Sequence, residues 1–409
     1  MMAIFLLVIS IYLIINVAKK PENGMIAALS IISFGPLFDG YLSGSYKFIL
    51  IFAIFAIELF HSVYYHNNIL YWCILVAAAI FKESIAFLIG INSLNSLFLS
   101  LYVYVIIFSI SFFSYKQICE KNVDFSRQLK FYMMACIFVQ LYRTFVDYSF
   151  GGIIKLEVQD EAYAYAYQMG EHLFRPSNLE TPIAYAIEAA LFFGLVLFNS
   201  ECLKKKLPWL ILAIVSVALT NSRSGMVMVA LEIIAYCVLM KKIKFGSFVG
   251  IIGAIIIMVF DYSSRFFSVF NFETRSYNTR FNSISNALEQ ISNFSLADML
   301  WGLGYGTANY ISPDKSVTFY VEDFFLCLIA NSGYITFLLF IIFIAVACIV
   351  GFNKKNTNVI MLVCLLYANI FACSLLIYSI QILFWFLSFS LLSEQNNKYA
   401  NVRLLEKNT

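Results

Sequence analysis

Five arginines stand where an anion would be bound. Arg175, Arg223, Arg265, Arg275 and Arg280 fall in polar stretches between apolar runs, on the face opposite the lysine-rich loops. Basic residues of a membrane protein ordinarily concentrate in short cytoplasmic loops, so arginines on the other face need another cause. A guanidinium offers a planar fork of donors that fits phosphate oxygens, and a phosphate or pyrophosphate is the simplest ligand.

Four segments carry the candidate chemistry. The first runs Phe174, Arg175, Pro176, Ser177, Asn178, Leu179, Glu180, Thr181, Pro182. Thr181 can cap a helix that Pro182 begins, with Arg175 snorkelling to the interface. Equally, Arg175 and Glu180 can bind an anion and a hydroxyl together. The second, Thr220 to Gly225, is a polar break containing Ser222, Arg223 and Ser224 between two apolar runs. Its arginine and the amides that open the next helix would face one anion; the other reading is an ordinary turn with an interfacial arginine. The third places Gly302, Gly304 and Gly306 on alternate positions, which permits sharp turns and close backbone approach. It lacks the strand–turn–helix setting of a nucleotide-binding loop. In the fourth, Glu322 and Asp323 stand before a long apolar run, as a general base or as residues that solvate a helix N-terminus.

The elements that must position these residues are membrane helices. Of 409 residues, 61% are hydrophobic and only 12% are charged, about half the charge of a soluble domain. The net charge of +3 gives no case for nucleic-acid binding. Apolar runs near 2–18, 25–42, 46–65, 69–91, 94–114, 131–148, 181–199, 207–222, 225–240, 246–260, 322–350, 358–374 and 376–392 predict an all-α polytopic integral membrane protein. The expected count is roughly 12 to 14 crossings, the spread arising because Lys82 and Glu83 interrupt the run 69–91 and can split it. The apolar start, with no basic segment before it and no cleavage site, reads as a first span and not a removable signal. Lysines at 19–20, 116–130, 204–206, 241–244, 354–355 and in the tail 393–409 all fall on one side, which the positive-inside rule makes the cytoplasm. Residues 1–130 then form N-terminal spans and 131–392 a core with two long outer loops, 149–180 and 261–321.

The second loop holds an apolar stripe, Phe281, Ile284, Leu288 and Ile291, on a polar helix. Asn278 or Thr279 would cap it, with Arg280 on its first turn, and the helix would lie on the membrane or over the spans. In the first loop the Ala-Tyr repeat 162–167 offers interface anchors or aromatic faces for a sugar. Arg143 and Asp147, spaced i, i+4, are expected to pair. Glu188 and Glu232, inside spans, serve either a polar path or helix packing. The nine cysteines avoid the long loops and show no C-x-x-C spacing, which argues against disulfides and structural zinc.

In order and topology these segments resemble the Wzy-type O-antigen polymerases, within the O-antigen ligase and polymerase superfamily. The resemblance rests on Arg175 with Glu180 and Pro182, on Ser222 to Gly225, on Gly302, Gly304 and Gly306, on Glu322 with Asp323, and on Asn331, Ser332 and Gly333, across about residues 130–392. It implies a glycosyltransferase of the bacterial inner membrane that uses an undecaprenyl-pyrophosphate-linked oligosaccharide at the periplasmic face, with the C-terminus in the cytoplasm. It further implies a chain-length regulator as partner. The related ligases carry a histidine late in the last large loop, and this chain has none after His172. The expected roles are pyrophosphate binding by Arg223, Arg175, Arg280, Arg275 and Arg265, proton abstraction by Glu180, Glu322 or Asp323, and substrate positioning by Ser222, Ser224 and the glycine turn. Without a D-x-D motif, neither metal nor cofactor is expected. A lipid-linked-oligosaccharide flippase is the rival reading, with the same arginines lining a cavity.

Overall fold

The computed structural model describes residues 2–42, 45–65, 70–91, 93–143, 165–168, 171–174, 178–179, 181–199, 201–220, 222–241, 243–259, 275–305, 323–371, 375 and 377–393. These residues are helical apart from their turns and one short hairpin. In chain order the helices are α1 (Met2–Lys19), α2 (Gly24–Ser33), α3 (Gly35–Tyr41), α4 (Tyr46–Tyr65), α5 (Leu70–Leu88), α6 (Leu94–Leu101), α7 (Phe108–Glu120) and α8 (Phe125–Tyr142). A strand pair follows, β1 (Tyr165–Gln168) and β2 (Glu171–Phe174). Then come α9 (Pro182–Phe198), α10 (Leu203–Thr220), α11 (Arg223–Leu239), α12 (Ile243–Val259), α13 (Arg275–Ser292), α14 (Leu296–Trp301), α15 (Phe324–Asn353), α16 (Asn358–Phe371) and α17 (Tyr378–Leu392).

Among the described residues, three helical stretches are long and apolar enough to cross a membrane: Tyr46–Tyr64, Leu94–Glu120 and Phe324–Asn353. Others that the sequence reads as spans, such as Pro182–Phe198 and Tyr378–Leu392, are apolar but shorter. At 1.5 Å per residue a 17-residue helix reaches about 26 Å, just short of a typical hydrocarbon core.

Several boundaries differ from the sequence reading, each for a local reason. The run 25–42 is two helices that meet at Phe34, because Pro36 in the first turn of α3 restarts the helix and cannot continue one. The run 69–91 does not split: α5 is continuous through Lys82 and Glu83, whose side chains pair at 2.6 Å and neutralise each other. Residues Tyr102–Ile107 form a π-helical segment between α6 and α7. The Ala-Tyr repeat runs into an antiparallel hairpin with Tyr165 opposite Phe174 and Tyr167 opposite His172, a period-two pattern that fits a strand better than a loop.

The centre of the bundle is α9. It is buried on nearly every side, with Tyr185, Phe192, Phe193 and Phe198 among the most enclosed side chains, as expected of a helix apolar all round. It touches α8, α10, α11, α16 and α17. The lysine-bearing loops are tied to one another. Lys121 pairs with Glu22 at 2.7 Å and Lys130 with Glu201 at 2.8 Å, while Lys206 donates to the carbonyls of Leu197 and Asn199. Lys354 caps the end of α17 by donating to Leu391, Leu392 and Ser393 carbonyls. Stacking of Phe125 on Phe386, centroids 4.1 Å apart, joins the two groups.

The amphipathic helix is present but begins earlier and turns differently than expected. α13 starts at Arg275, so Asn278 and Thr279 lie inside it and Arg280 sits beyond its first turn. Asn and Thr cost a helix interior only a few tenths of a kcal/mol, too little to force a start. The face that packs on the bundle carries Ser283, Ala287 and Ile291, while Leu288 of the expected stripe is exposed.

Candidate functional site

Two backbone irregularities meet at the start of the longest helix. α14, capped by Ser295, whose Oγ accepts from Asp298 N at 3.2 Å, ends at Gly302 with φ 80° and ψ 178°. Gly304 also has a positive φ of 99°. Facing this turn, α15 loses helical geometry at Gly333, with φ 76° and ψ 171°. A helix broken there deprives the carbonyls of the preceding turn of their usual donors. The glycine turn supplies two: Leu303 N donates to Ala330 O at 2.7 Å and Gly304 N to Asn331 O at 3.0 Å. Neither glycine could carry a side chain. A Cβ on Gly302 would stand 2.5 Å from the Asn331 carbonyl and Ser332 N, and one on Gly333 would strike the Leu300 carbonyl and lie 2.8 Å from Gly302 N. The two backbones therefore interlock, which the alternating-glycine reading anticipated only as a freedom to turn.

Aromatic hydroxyls from the turn itself and from two other segments gather near this clasp. Tyr104, on the π-helical segment, meets Ser332 Oγ at 2.7 Å and stands edge-on to Tyr305 at 6.0 Å. Tyr102 stands edge-on to Tyr378 at 5.0 Å. Burial, with Tyr378 and Tyr104 nearby, pushes the Tyr305 phenol well above its ordinary range, so it is a neutral group at any physiological pH. Gln381 donates to Leu375 O at 2.8 Å and Asn369 accepts from Leu375 N at 2.7 Å, holding the start of α17 against the same region. None of these tyrosines was visible as a site residue in the sequence; a π-helical bulge leaves no pattern in an apolar run.

Asp323 caps α15, accepting from Leu326 N at 2.8 Å. Burial raises its carboxyl above the usual value, against the opposing pull of the Leu326 and Phe325 amides. The helix-start reading of Asp323 is thus the one the geometry displays. Glu322 and Gly306 lie outside the described residues, as do Arg175, Glu180 and Arg265. For Arg275 and Arg280 only the backbone, within α13, is described.

The segment that carries Arg175 and Glu180 is nevertheless anchored. Asn178 and Leu179 are buried, and the buried Arg143 donates from Nη1 to the Asn178 carbonyl at 2.9 Å. Asn178 in turn reaches Cys136 Sγ at 3.6 Å. The expected partner Asp147 lies outside the described residues; sequence spacing did not reveal Asn178, because the contact spans 35 positions. Thr181 caps α9 through Ala184 N at 3.3 Å and Pro182 opens it, as the sequence predicts.

The break at Thr220–Gly225 is a tight helix-to-helix turn. α11 begins at Arg223 with the buried Ser222 at its N-cap, and the cap is made without a side-chain hydrogen bond. Arg223 and Ser224 are half-buried. Gly225 packs on α9 and α10: a Cβ there would meet Ala186 Cβ at 2.8 Å and Val217 Cγ1 at 3.1 Å. This turn rests on α9 and α10, whereas the glycine clasp rests on α15.

Within the bundle, Glu188 accepts from Tyr132 at 2.9 Å, and Tyr132 meets Ser33 at 2.6 Å. Glu58 accepts from Ser114 at 3.2 Å and occupies the space left by Gly24. Glu232 lies on Gly194, where a Cβ would stand 2.7 Å from Oε1. Glu232 thus fills a helix-packing position, while Glu188 ends a chain of polar groups from Ser33 through Tyr132 that fits either a polar path or helix packing.

No protein-family profile, curated protein or solved structure matches the chain. The described residues offer the backbone of α13, which carries Arg275 and Arg280, joined by α14 to the broken helix α15, a third arginine, Arg223, at the head of α11, and the anchored Asn178. A guanidinium at any of these positions has the donor fork that fits a phosphate oxygen.

Proposed function

We propose that this chain is a multi-span glycosyltransferase of the O-antigen polymerase kind, resident in the bacterial inner membrane with its site on the periplasmic face. The observation that carries the proposal is the clasp between Gly302–Gly304 and Asn331–Gly333. It holds the arginine-bearing α13 and α14 at the start of α15, the end remote from Lys354 and the loops tied around it. Beyond its break at Gly333, α15 runs unbroken to Asn353, about 30 Å at 1.5 Å per residue, a length that supports placing the clasp and Lys354 at opposite faces of a bilayer. In this topology the lysine loops and C-terminus are cytoplasmic, and the remaining apolar helices add crossings toward the lower part of the range of about 12 to 14, since α5 is unsplit.

The donor is an oligosaccharide on undecaprenyl pyrophosphate, and the acceptor is the non-reducing-end hydroxyl of a newly arrived lipid-linked repeat. The hydroxyl oxygen bonds to the anomeric carbon as the bond from that carbon to the phosphate oxygen breaks. Undecaprenyl pyrophosphate leaves with the bonding electron pair, and the hydroxyl proton passes to a carboxylate. Arg223, Arg175, Arg280, Arg275 and Arg265 are the groups that would balance the charge growing on the pyrophosphate. Asp323 already uses one oxygen on its helix cap, which leaves Glu180 and Glu322 as the better candidates for the base. Ser222, Ser224 and the glycine turn would position sugars, and a chain-length regulator would associate with the complex. The reaction as written uses neither metal nor cofactor.

The deciding experiment is a gel of surface polysaccharide and lipid-linked intermediates from a strain lacking the gene. Core bearing a single repeat, with the long ladder lost, is the expected result. Bare core with long chains on the carrier would mean a ligase, repeats trapped on the cytoplasmic leaflet a flippase, and an unchanged pattern would overturn the proposal. Arg223→Ala at equal expression is expected to shorten or abolish the ladder.

A further inference from the structure

Around α13 three faces follow one another at about 100° per residue. Ser283, Ala287 and Ile291 face the bundle, where Ile291 packs with Ile329 and Ala330 of α15. Next round the helix come Ile284, half-buried, and Leu288, which is 52% exposed. The far side carries the exposed Asn282, Ser285 and Glu289. A helix standing in water against a protein wall needs only the first and third of these faces. The helix that follows, α14, is apolar on an exposed side of its own: Leu296, Met299 and Leu300, at i, i+3 and i+4, are all exposed, Leu296 at 74%. The apolar surface does not end there. The Leu300 carbonyl abuts Gly333, and two residues further along α15 begins the exposed apolar row Ile335, Leu338, Leu339 and Ile342. That row belongs to a helix long and apolar enough to cross a bilayer.

We infer that the face formed by Leu288, Leu296, Met299 and Leu300 is immersed in the acyl chains at the edge of the bilayer, so that α13 and α14 lie in the membrane interface. Continuity with the lipid-facing row of α15 names the occupant. A patch of this kind in water would be a liability, whereas a helix with one apolar face and one polar face, rich in Asn, Ser and Glu, is suited to the interface. The glycine clasp would then sit at the depth where a lipid headgroup meets its tail. The inference needs membrane residence of the chain and is independent of the chemistry proposed above.

The test uses the full chain in vesicles of phosphatidylethanolamine and phosphatidylglycerol, with photoreactive benzoylphenylalanine in place of Leu296, and separately of Leu339 and Asn293. Position 339 reports the lipid belt, and 293 the exposed polar turn that follows α13. After irradiation, lipid adducts are counted by mass spectrometry. Position 296 is expected to capture lipid within about twofold of position 339 and at least about fivefold above position 293. Lipid capture at 296 no greater than at 293 would overturn the inference. So would cross-links joining two chains through position 296, which would make a second copy the occupant.

Discussion

Gly302→Ala isolates the interlock that the whole outer arrangement depends on. Two contributions add. At φ 80° and ψ 178° the backbone occupies a region nearly reserved for glycine, and an alanine there costs about 1–3 kcal/mol. Its Cβ would also stand 2.5 Å from the Asn331 carbonyl, backbone that cannot swing aside as a flexible side chain would. The turn must lift, losing the Leu303 and Gly304 hydrogen bonds at about 1 kcal/mol each. The sum is roughly 3–5 kcal/mol. Gly90 supplies the matching control, since its φ is 79° but nothing lies within 4 Å of a Cβ there. Gly90→Ala should therefore cost only the conformational part, about 1–2 kcal/mol. Both variants would be unfolded by SDS titration in mixed micelles, with proteolysis of the 296–305 segment as the local readout. Gly302→Ala should show the larger loss and faster cleavage in that segment, and Gly90→Ala should leave the cleavage rate unchanged. Equal losses for the two would refute the interlock.

Other perturbations test other contacts. Asp323 has a raised carboxyl pKa, so it favours the fold while protonated and loses that contribution as pH rises through its folded pKa. Asp323→Asn, which keeps a good cap, should match the parent in acid and become the more stable as pH rises toward neutrality, read from thermal midpoints across that range; a constant difference would contradict the burial assigned to this carboxyl. Asp323→Ala should be about 1 kcal/mol less stable than Asp323→Asn at every pH through the missing cap. Gly194→Ala drives a methyl against Glu232 and Met361 and should cost about 1–3 kcal/mol. Adding Glu232→Ala should recover about 1–2 kcal/mol of it in a double-mutant cycle, and strict additivity would show the two are not in contact. Tyr104→Phe removes the hydroxyl that meets Ser332 and should destabilise by about 1 kcal/mol in the same titration, with no change counting against that hydrogen bond.

Much of the frame was legible because membrane helices obey simple local rules. Apolar run length located nearly every described helix, and Thr181 with Pro182 marked the start of α9 to the residue. The polar break at Thr220–Gly225 and the glycine spacing at 302–306 were visible for the same reason: caps, breaks and positive φ are set by a few adjacent residues. The misreadings share a different cause. Lys82 and Glu83 look like an interruption until their pairing is seen. The stripe on α13 met the buried face at Ile291 but missed it by one residue at Ile284 and Leu288, since an apolar stripe gives a direction and not the identity of what it faces.

Composition and order alone determined that the chain is helical, rich in apolar segments able to span a membrane, and supplied with arginines and glycines between them, because these follow from transfer energies and from the backbone freedom of single residues. Only the tertiary structure decided that Gly302 answers Gly333, that Arg143 holds Asn178, that Tyr104 reaches Ser332 and that α9 is the central helix. Those contacts join residues from 31 to 228 positions apart, and sequence periodicity carries information over one or two helical turns. Which faces meet is fixed by packing, where a missing Cβ on one helix is matched to a carbonyl on another.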